Sequence, residues 1–327
     1  MQTRKLGKNG PAVGAIGLGA MSFAGAYGAA DPADVARVLA EAVDLGVTHI
    51  DTARLYGMGR SEELVGQFLK TTKAKLSIAT KGGIEVEPQR HFVNSKFKLT
   101  EHLEGSLRRL GVEHVDLYYV HRRDQSIPIE DVTETLAGFQ KAGKIGGFGF
   151  SEISPASLRR AHAVAPVSAV QNEYSLWTRQ PDLGMVQACA ELGVAFVAFS
   201  PLGRGIFSEE VFDLSQVAEG EFRRMSPRFS EPNFSQNQKA IAGFRALARE
   251  VGISTPGLAI AWTLSRGDHV IPIPGTRSVE HLRQDVEGAG FVMTPEVLAR
   301  IDALLPVGFA HGDRYSDSQS IGVERYC

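Results

Sequence analysis

Four side chains in the first half of the chain have the types needed to move a proton to or from an oxygen atom. Asp51 and Tyr56 occur in HIDTARLYG, Lys81 ends LSIATK, and His121 ends VDLYYVH. A tyrosine phenol titrates near pH 10, and a neighbouring ammonium such as that of Lys81 favours the phenolate. A carboxylate at Asp51 would keep the lysine charged, and His121 could orient a substrate oxygen. Together these types make a proton donor for an oxygen atom.

Other chemistries are less well supported by the same sequence. It contains neither a metal-ligand spacing nor a Ser or Cys with a paired base, which disfavours hydrolysis. Lys81 could instead be the nucleophile of a Schiff-base aldolase, although a carboxylate at Asp51 disfavours the neutral amine that this reaction needs. Proton transfer to a carbonyl oxygen and Schiff-base formation both remain open at this point.

These residues must be brought together by elements that lie far apart in the chain. Short β-rich runs recur eight times, as GAIGLG, VTHIDTA, LSIATK, VDLYYVH, IGGFGFS, SAVQNEY, VAFVAFSPL and HVIPIPG. Between most of them lie segments with apolar residues at helical spacing, such as ADVARVLAEAVDLG, SEELVGQFLK, TEHLEGSLRRLG and IEDVTETLAGFQKAGK. Alternating helices and strands that are apolar on both faces are typical of a parallel sheet.

The eight repeats favour an α/β fold of the (β/α)8 TIM-barrel type, with a doubly wound open sheet as the alternative. Two longer insertions interrupt the repeat, GGIEVEPQRHFVNSKFK after the third strand and roughly residues 203–236 after the seventh. Both follow the carboxyl ends of strands, where a barrel places its active site. We expect residues 1–327 to form one barrel domain with a C-terminal extension from about residue 306.

The ends of the later strands carry residues that suit a phosphorylated cofactor. Ser151 ends the fifth strand, Gln171 and Asn172 lie in the sixth, SPLGRG follows the seventh, and PIPGTR ends the eighth. Backbone N–H groups and Arg277 at the start of the following helix would make a phosphate site. A nicotinamide cofactor would connect the two halves of the site, with its phosphates at the last strands and its hydride beside Tyr56.

Two glycine-rich segments match nucleotide-binding motifs only in part. GFQKAGK, residues 138–144, has P-loop spacing but is followed by Ile145 where Ser or Thr is needed. GLGAMS, residues 17–22, has Ser22 where a dinucleotide fingerprint has its last glycine. We interpret the first as a helix end followed by a strand, and the second as the first strand-end loop of the barrel.

Composition and charge exclude several classes of protein. The 327 residues are 43% hydrophobic, which allows a substantial globular core. The formal net charge of −2, with basic and acidic residues mixed along the chain, gives no field to attract nucleic acid or anionic lipid. Cys189 and Cys327 are too few for a disulfide framework, and MQTRKLGKNG lacks the apolar core of a signal peptide. We therefore expect a cytoplasmic protein that acts on a small molecule.

The segments quoted above resemble, in the same order along the chain, those of the aldo-keto reductases. HIDTARLYGMGRSEELVG is similar to the Asp-and-Tyr signature of that family, IATK to its lysine segment and LYYVH to its histidine segment. SEISPASL, VQNEYSL, FSPLGRG and IPIPGTR are similar to its later cofactor-binding segments, and GEFRRMSPRFSEPNF to its long-loop bacterial and plant branch. The resemblance extends from about residue 3 to residue 305.

The resemblance implies a (β/α)8 barrel that reduces aldehydes and ketones with NADPH, in which Tyr56 is the general acid and Asp51, Lys81 and His121 support it. It also implies that the neighbourhood of Tyr174 borders the nicotinamide ring and that Arg277 binds the 2′-phosphate. The full set of implied cofactor contacts is Ser151, Gln171, Asn172, Ser200, Pro201, Leu202, Gly203, Arg204, Gly275, Thr276, Arg277, Gln284 and Asp285.

Two alternatives concern the role of the chain and its pocket. The same residues could belong to a regulatory subunit that binds NADPH and turns over slowly, which a steady-state assay would distinguish from an enzyme. The pocket wall lies in the insertions, and an aromatic lining is suggested by Phe23, Trp177, Phe229 and Phe234, although each of these types is more often packing.

Overall fold

A parallel sheet of eight strands forms the centre of the computed structural model, which describes residues 1–326. In chain order the strands are β1 (Thr3–Lys5), β2 (Ala12–Gly14), β3 (Leu18–Gly19), β4 (His49–Asp51), β5 (Ser77–Gly82), β6 (Ile84–Glu85), β7 (His91–Phe92), β8 (Val115–Val120), β9 (Ile145–Ser151), β10 (Ala169–Glu173), β11 (Ala195–Phe199) and β12 (Val270–Ile273). The central sheet contains β3, β4, β5, β8, β9, β10, β11 and β12, in that order. Each of the eight predicted runs contains one of these strands, so the predicted strand repeat is confirmed.

Two hydrogen bonds join the last strand to the first and close the sheet into a barrel. The N–H groups of Gly17 and Gly19 donate to the carbonyl oxygens of Pro272 and Pro274, at 3.0 and 2.9 Å. Glycine suits this close approach, because a Cβ at Gly19 would lie 2.9 Å from the carbonyl oxygen of Ile273. The fold is therefore the predicted (β/α)8 barrel, and the open-sheet alternative is wrong.

Apolar side chains cover both faces of the barrel wall. A small cluster fills the interior, and a much larger one lies between the strands and the surrounding helices. Because successive strand residues point to opposite faces, burial on both faces explains the nearly continuous apolar runs in the sequence. Leu6 and Val13, from the N-terminal hairpin of β1 and β2, join the interior cluster and fill the amino end of the barrel.

The helices follow the strands as the periodicity predicts. They are α1 (Pro32–Asp44), α2 (Arg60–Leu69), α3 (Lys96–Leu110), α4 (Ile129–Lys141), α5 (Pro155–Val164), α6 (Met185–Leu192), α7 (Asn233–Glu250), α8 (Thr255–Leu264), α9 (Val279–Glu287), α10 (Pro295–Leu304) and α11 (Asp317–Ser320). Asp31, Ser154 and Ser278 cap α1, α5 and α9, each accepting a hydrogen bond from the first turn. Among residues 1–326, no helix has the length and apolar character needed to cross a membrane.

The two glycine-rich segments and the two insertions have the local structures that position the site. GFQKAGK ends α4 before β9, and GLGAMS passes from β3 into a short 3-10 turn, as interpreted from the sequence. The first insertion contains the hairpin of β6 and β7, and the second consists largely of 3-10 turns. The second insertion ends slightly before the expected residue 236, because α7 begins at Asn233.

The C-terminal segment lies across the carboxyl ends of the barrel strands. Arg314 forms ion pairs with Glu152 and Glu173, which are buried residues at the ends of β9 and β10. Glu324 pairs with Arg123 at 2.9 Å. These contacts attach the last described residues to the same end of the barrel that carries the predicted site.

Candidate active site

The four predicted proton-transfer residues meet at the carboxyl ends of three neighbouring strands. Asp51 ends β4, Lys81 lies near the end of β5, and His121 follows β8 directly. Tyr56 begins a tight turn after β4, in which Gly57 and two further residues adopt the left-handed conformation. Because parallel strands end at one rim, this order of strands places all four side chains together. We refer to these four residues as the tetrad.

Lys81 is the centre of the tetrad. Its ammonium donates to the Asp51 carboxylate, to the carbonyl oxygen of Thr52 at 2.9 Å, and to the hydroxyl oxygen of Tyr56 at 3.2 Å. Lys81 is 0% exposed, and burial alone lowers the pKa of an amine. The attraction of Asp51 and Tyr56 outweighs this effect, so the pKa of Lys81 is raised and the side chain stays charged. A charged Lys81 cannot act as a Schiff-base nucleophile.

The carboxylate of Asp51 is held from two sides. One oxygen accepts from Lys81, and the other accepts from the side-chain amide of Gln171 at 2.8 Å. Gln171 lies in β10, on the far side of the barrel from β4, so this bond crosses the barrel mouth. The position of Lys81 below Tyr56 is therefore fixed by a buried network rather than by one ion pair.

His121 lies beside Tyr56 as a neutral imidazole. The two rings are in edge-to-face contact, with centroids 5.7 Å apart and planes at 85°. Burial lowers the pKa of His121 well below its usual value, and the positive charges of Arg122, Lys81 and Arg90 lower it further. At neutral pH this side chain can donate one hydrogen bond and accept another, but it carries no charge.

A cleft of about 860 Å³ opens above the tetrad and is lined by most of the predicted cofactor contacts. Asp51, Tyr56 and His121 line it directly, whereas Lys81 lies beneath them. The predicted contacts that also line it are Ser151, Gln171, Ser200, Pro201, Leu202, Arg204, Gly275, Thr276, Arg277, Gln284 and Asp285. One volume therefore connects the tetrad with the helix that follows β12.

Two residues predicted beside the nicotinamide lie elsewhere. Asn172 is next to Gln171 in β10, and neighbouring strand residues point to opposite faces, so both cannot face the barrel mouth. The Asn172 amide accepts from the Glu152 N–H at 2.8 Å and donates to the Tyr326 hydroxyl at 2.7 Å. Tyr174 is 0% exposed in the core outside the strands, with its ring packed on Trp262. Neither side chain lines the cleft, which corrects the expectation for Asn172; the expectation for Tyr174 concerned its neighbourhood, in which Gln171 does line the cleft.

The loop after β11 contributes its backbone to the cleft, and the charge of its arginine is already paired with a carboxylate. Gly203 has a φ of 54°, and a Cβ there would lie 2.8 Å from Trp177, so this glycine shapes the turn without lining the cleft. Arg204 pairs with the buried carboxylate of Glu173 at 2.7 Å, and its guanidinium lies 4.7 Å from the ring of Tyr315. Arg204 therefore already has a counter-charge, which differs from its expected role beside a pyrophosphate.

The segment of residues 277–285, which includes most of α9, offers an arginine and a carboxyl group to the cleft. The Arg277 guanidinium donates to three carbonyl oxygens of the loop after β3, including that of Tyr27 at 2.7 Å. Asp285 is 1% exposed, and within residues 1–326 neither carboxyl oxygen has a hydrogen-bond partner. Burial raises the pKa of Asp285 well above its usual value. A neutral carboxyl can both donate and accept a hydrogen bond.

The aromatic lining differs from the expectation. Phe23, Trp177, Phe229 and Phe234 are buried in the core and do not line the cleft. Its aromatic walls come instead from Tyr27, Phe199, Phe212, Phe222 and Tyr315. Tyr315 belongs to the C-terminal segment, and its place in the cleft could not be predicted because this segment is not part of the repeat of strands and helices.

Two arginines near the tetrad were not predicted from the sequence. Arg122 and Arg90 both line the cleft. Arg122 directly follows His121, so its place at a strand end was a usable signal, whereas Arg90 lies in the first insertion and gave none. Within residues 1–326, no group of three or more His, Cys, Asp or Glu side chains is arranged to hold a metal ion.

Comparisons with known proteins agree with this geometry. A model of the aldo/keto reductase family matches residues 15–306. "Probable aldo-keto reductase 1" of Glycine max is 38% identical over 321 residues, covering 96% of this chain and 92% of that protein. The NADP(+) aldo-keto reductase yakc of Schizosaccharomyces pombe is 38% identical over 291 residues, covering 86% and 85%. The solved structure of a glycerol dehydrogenase from Gluconobacter oxydans has a TM-score of 0.85 at 28% identity, covering 93% and 94%.

Proposed function

The chain belongs to the aldo/keto reductase family, and we propose that it reduces aldehydes and ketones to alcohols with NADPH. The observation that carries this proposal is the contact between the Tyr56 hydroxyl and the charged, buried Lys81 at 3.2 Å. This contact, on the floor of a cleft large enough for a cofactor and a small carbonyl compound, makes Tyr56 a proton donor for the carbonyl oxygen.

The bound cofactor would supply the hydride that reaches the carbonyl carbon. Tyr56 would give its proton to the carbonyl oxygen, which becomes the alcohol, and would be left as a phenolate. The ammonium of Lys81 stabilises that negative charge, because it already donates to the same oxygen. Asp51 and the carbonyl oxygen of Thr52 hold the ammonium in place throughout.

We assign His121 to orientation of the carbonyl group. Its edge-to-face contact with the Tyr56 ring supports this role. Since the pKa of His121 is lowered by burial and by nearby cations, the ring offers a neutral N–H to the oxygen. In this role His121 donates a hydrogen bond to the carbonyl oxygen, and Tyr56 remains the group that transfers the proton.

The lining of the cleft fits NADPH. Ser151 and Gln171 would hold the nicotinamide, and Ser200, Pro201 and Leu202 would follow the pyrophosphate. The adenosine end would lie at Gly275, Thr276, Arg277, Gln284 and Asp285, where the N-terminus of α9 favours an anion. The unpartnered carboxyl of Asp285 is a polar group that needs a partner, and an adenine edge offers a donor and an acceptor together. The name of the fission yeast relative agrees with NADP as the cofactor.

We also propose that the chain is a single cytoplasmic barrel domain acting on small carbonyl compounds. Support for one domain comes from the C-terminal extension, whose Arg314 pairs with Glu152 and Glu173 of the barrel. The mixed charge of the chain supports a small substrate over nucleic acid or a membrane surface. The Schiff-base alternative is disfavoured because Lys81 is charged.

Replacing Tyr56 by Phe tests the proposal. Tyr56→Phe should reduce turnover of aldehydes by about a hundredfold or more, with little change in the dissociation constant of NADPH, since only the proton donor is lost. Tyr118→Phe is the matched control, because its hydroxyl donates to the Leu99 carbonyl away from the cleft. NADPH oxidation with aromatic, aliphatic and sugar aldehydes measures the effect. Turnover above a tenth of wild type, with chemistry rate-limiting, would exclude Tyr56 as the acid.

A further inference from the structure

Two arginines beside the tetrad have no negatively charged partner among the described residues. Arg122 and Arg90 line the same cleft as Tyr56, and within residues 1–326 neither lies within 4.0 Å of a carboxylate oxygen. By contrast, Arg204 and Arg223, which also line the cleft, each pair with a glutamate. The end of the cleft near the tetrad therefore holds two positive charges that the described residues do not neutralise.

Arg122 is buried and held in a fixed position. It is 8% exposed, and its Nη1 donates to the carbonyl oxygen of His121 at 2.6 Å and to the Ser151 hydroxyl at 3.0 Å. Its own carbonyl oxygen accepts from Asn94 at 3.1 Å, which fixes the backbone. The buried Nε has no acceptor within residues 1–326. A guanidinium that is buried without a counter-charge is costly, and an anion in the cleft that Arg122 lines would offset part of this cost.

Carboxylates near this end of the cleft are already engaged. Asp51 accepts from Lys81 and Gln171, and Glu85 contacts Arg54, Lys98 and His102. They are therefore not free to neutralise Arg122 or Arg90. Arg90 is exposed at the rim of the cleft, and partial loss of solvent on its inner side, together with the positive charge of Arg122, lowers its pKa, in agreement with two cations that repel each other. Binding of an anion between them would relieve this repulsion.

The position of Arg122 separates it from the groups assigned to the phosphates of the cofactor. Arg122 follows β8, the fourth strand of the barrel order, whereas Arg277 follows β12, the eighth. Strands four places apart in an eight-stranded barrel lie on opposite sides of its axis. The free charges of Arg122 and Arg90 therefore face the part of the cleft that remains for the substrate, next to His121 and Tyr56.

We propose that the preferred substrates carry, besides the carbonyl group, a carboxylate or phosphate that Arg122 and Arg90 bind while Tyr56 protonates the carbonyl oxygen. This inference rests on the reductase function proposed above. A guanidinium matches the two oxygens of a carboxylate or phosphate, which suits arginine for this role better than lysine. The selected class is thus small aldehydes and ketones that are also anions.

Pairs of substrates that differ in one charge test the proposal. One pair is 4-carboxybenzaldehyde and its methyl ester, and the other is glyceraldehyde 3-phosphate and glyceraldehyde. With NADPH, kcat/KM of wild type should be roughly ten- to hundredfold higher for the charged member of at least one pair, as for a charge-assisted hydrogen bond. The first pair reports a carboxylate site and the second a phosphate site.

Substitutions of the two arginines test whether they cause the preference for charged substrates. Arg122→Gln and Arg90→Gln should each reduce the ratio of kcat/KM for the charged over the neutral substrate by roughly tenfold, and Arg122→Lys should retain part of it. Arg159→Gln is the matched control, because this arginine is exposed on α5 and pairs with Glu191. Since Arg122 also contacts Ser151, which is assigned to the nicotinamide, the more exposed Arg90 provides a variant that leaves this contact in place.

The outcomes separate this inference from the function on which it rests. Equal use of charged and neutral substrates by wild type, or a preference that persists in both glutamine variants, would overturn the anion site while leaving a working reductase. If no aldehyde of either pair were reduced with NADPH, the proposed function and the anion site would both fail. A preference that falls in both glutamine variants but not in Arg159→Gln supports the proposal.

Discussion

Replacing Asp285 by Asn tests whether a buried carboxyl of the cleft is neutral in the folded protein. Asp285 and Asp51 are both 1% exposed, yet their surroundings differ. Asp51 accepts from Lys81 and Gln171, whereas neither oxygen of Asp285 has a partner within residues 1–326. Burial therefore raises the pKa of Asp285 well above its usual value, and no cation opposes this shift.

The direction of the effect on stability follows from where the proton is bound. Below about pH 4, the folded and unfolded states both hold the proton on an aspartate, and the raised pKa has no effect on stability. Above that pH the unfolded chain releases the proton, while folded Asp285 keeps it because its pKa is raised. The free energy of unfolding then falls by about 1.4 kcal/mol for each pH unit, until the pH reaches the pKa of the folded state.

Asp285→Asn removes this loss, because an amide does not titrate. The stability of the variant relative to wild type should increase by about 1.4 kcal/mol per pH unit from about pH 5 upward. Any cost of placing the amide group in this site is independent of pH, so it changes the offset but not the slope. Asp44→Asn, at the exposed end of α1, is the matched control.

Urea unfolding of the cofactor-free protein at several pH values between about 5 and 7 measures the slope. Asp44→Asn should keep a constant difference from wild type over that range, because this aspartate is exposed to solvent. If Asp285→Asn behaved in the same way as Asp44→Asn, the carboxyl would be ionised in the folded protein. The reasoning from burial and missing partners would then be wrong.

Three further predictions concern charged groups of the cleft. Lys81→Met should lower turnover, and alcohol oxidation should suffer more than carbonyl reduction at neutral pH, because the ammonium favours the phenolate that accepts a proton. Profiles of kcat against pH in both directions measure this, and equal losses at every pH would contradict it. Arg277→Ala should weaken the binding of NADPH by roughly ten- to hundredfold and leave the binding of NADH unchanged. This loss corresponds to one charge-assisted contact of about 1.5 to 3 kcal/mol, and the dissociation constants of both cofactors measure it. An alanine variant that keeps the full preference would place the 2′-phosphate elsewhere. Glu173→Gln should reduce the free energy of unfolding by about 3 to 5 kcal/mol, because it leaves the buried Arg204 without its carboxylate. Urea unfolding beside the exposed control Glu296→Gln tests this, and a loss no larger than that of the control would refute it.

The strand ends and the tetrad could be predicted from the sequence because their signals are local. Each barrel strand is a short apolar run, and parallel strands end at one rim, so Asp51, Lys81 and His121 had to lie close together once the barrel was inferred. The alternation of side chains along a strand would also have separated Gln171 from Asn172, had it been applied within β10. The sequence therefore contained the information needed to distinguish these two side chains.

The remaining parts of the site depend on contacts between distant segments. Arg204 was expected beside a pyrophosphate, but its partner Glu173 lies 31 positions earlier in the chain. Tyr315 reaches the cleft, and Arg314 reaches the buried Glu173, from a C-terminal segment whose path no periodicity indicates. Burial of ion pairs is set by the packing of loops, and loops have no repeat from which their packing could be derived.

The charges of the cleft explain why the unpaired groups carry the most information about function. Among the buried carboxylates near the barrel mouth, Asp51, Glu152 and Glu173 each have a cationic partner, so their charges are largely cancelled within the chain. Within residues 1–326, Asp285 has no hydrogen-bond partner, and its raised pKa favours the neutral carboxyl group. At the end of the cleft near the tetrad, the charges that lack a carboxylate partner among residues 1–326 are those of Arg122 and Arg90, and they are positive. Positive charge at the end of a cleft attracts anions, so this balance of charges agrees with the anionic carbonyl substrates proposed above.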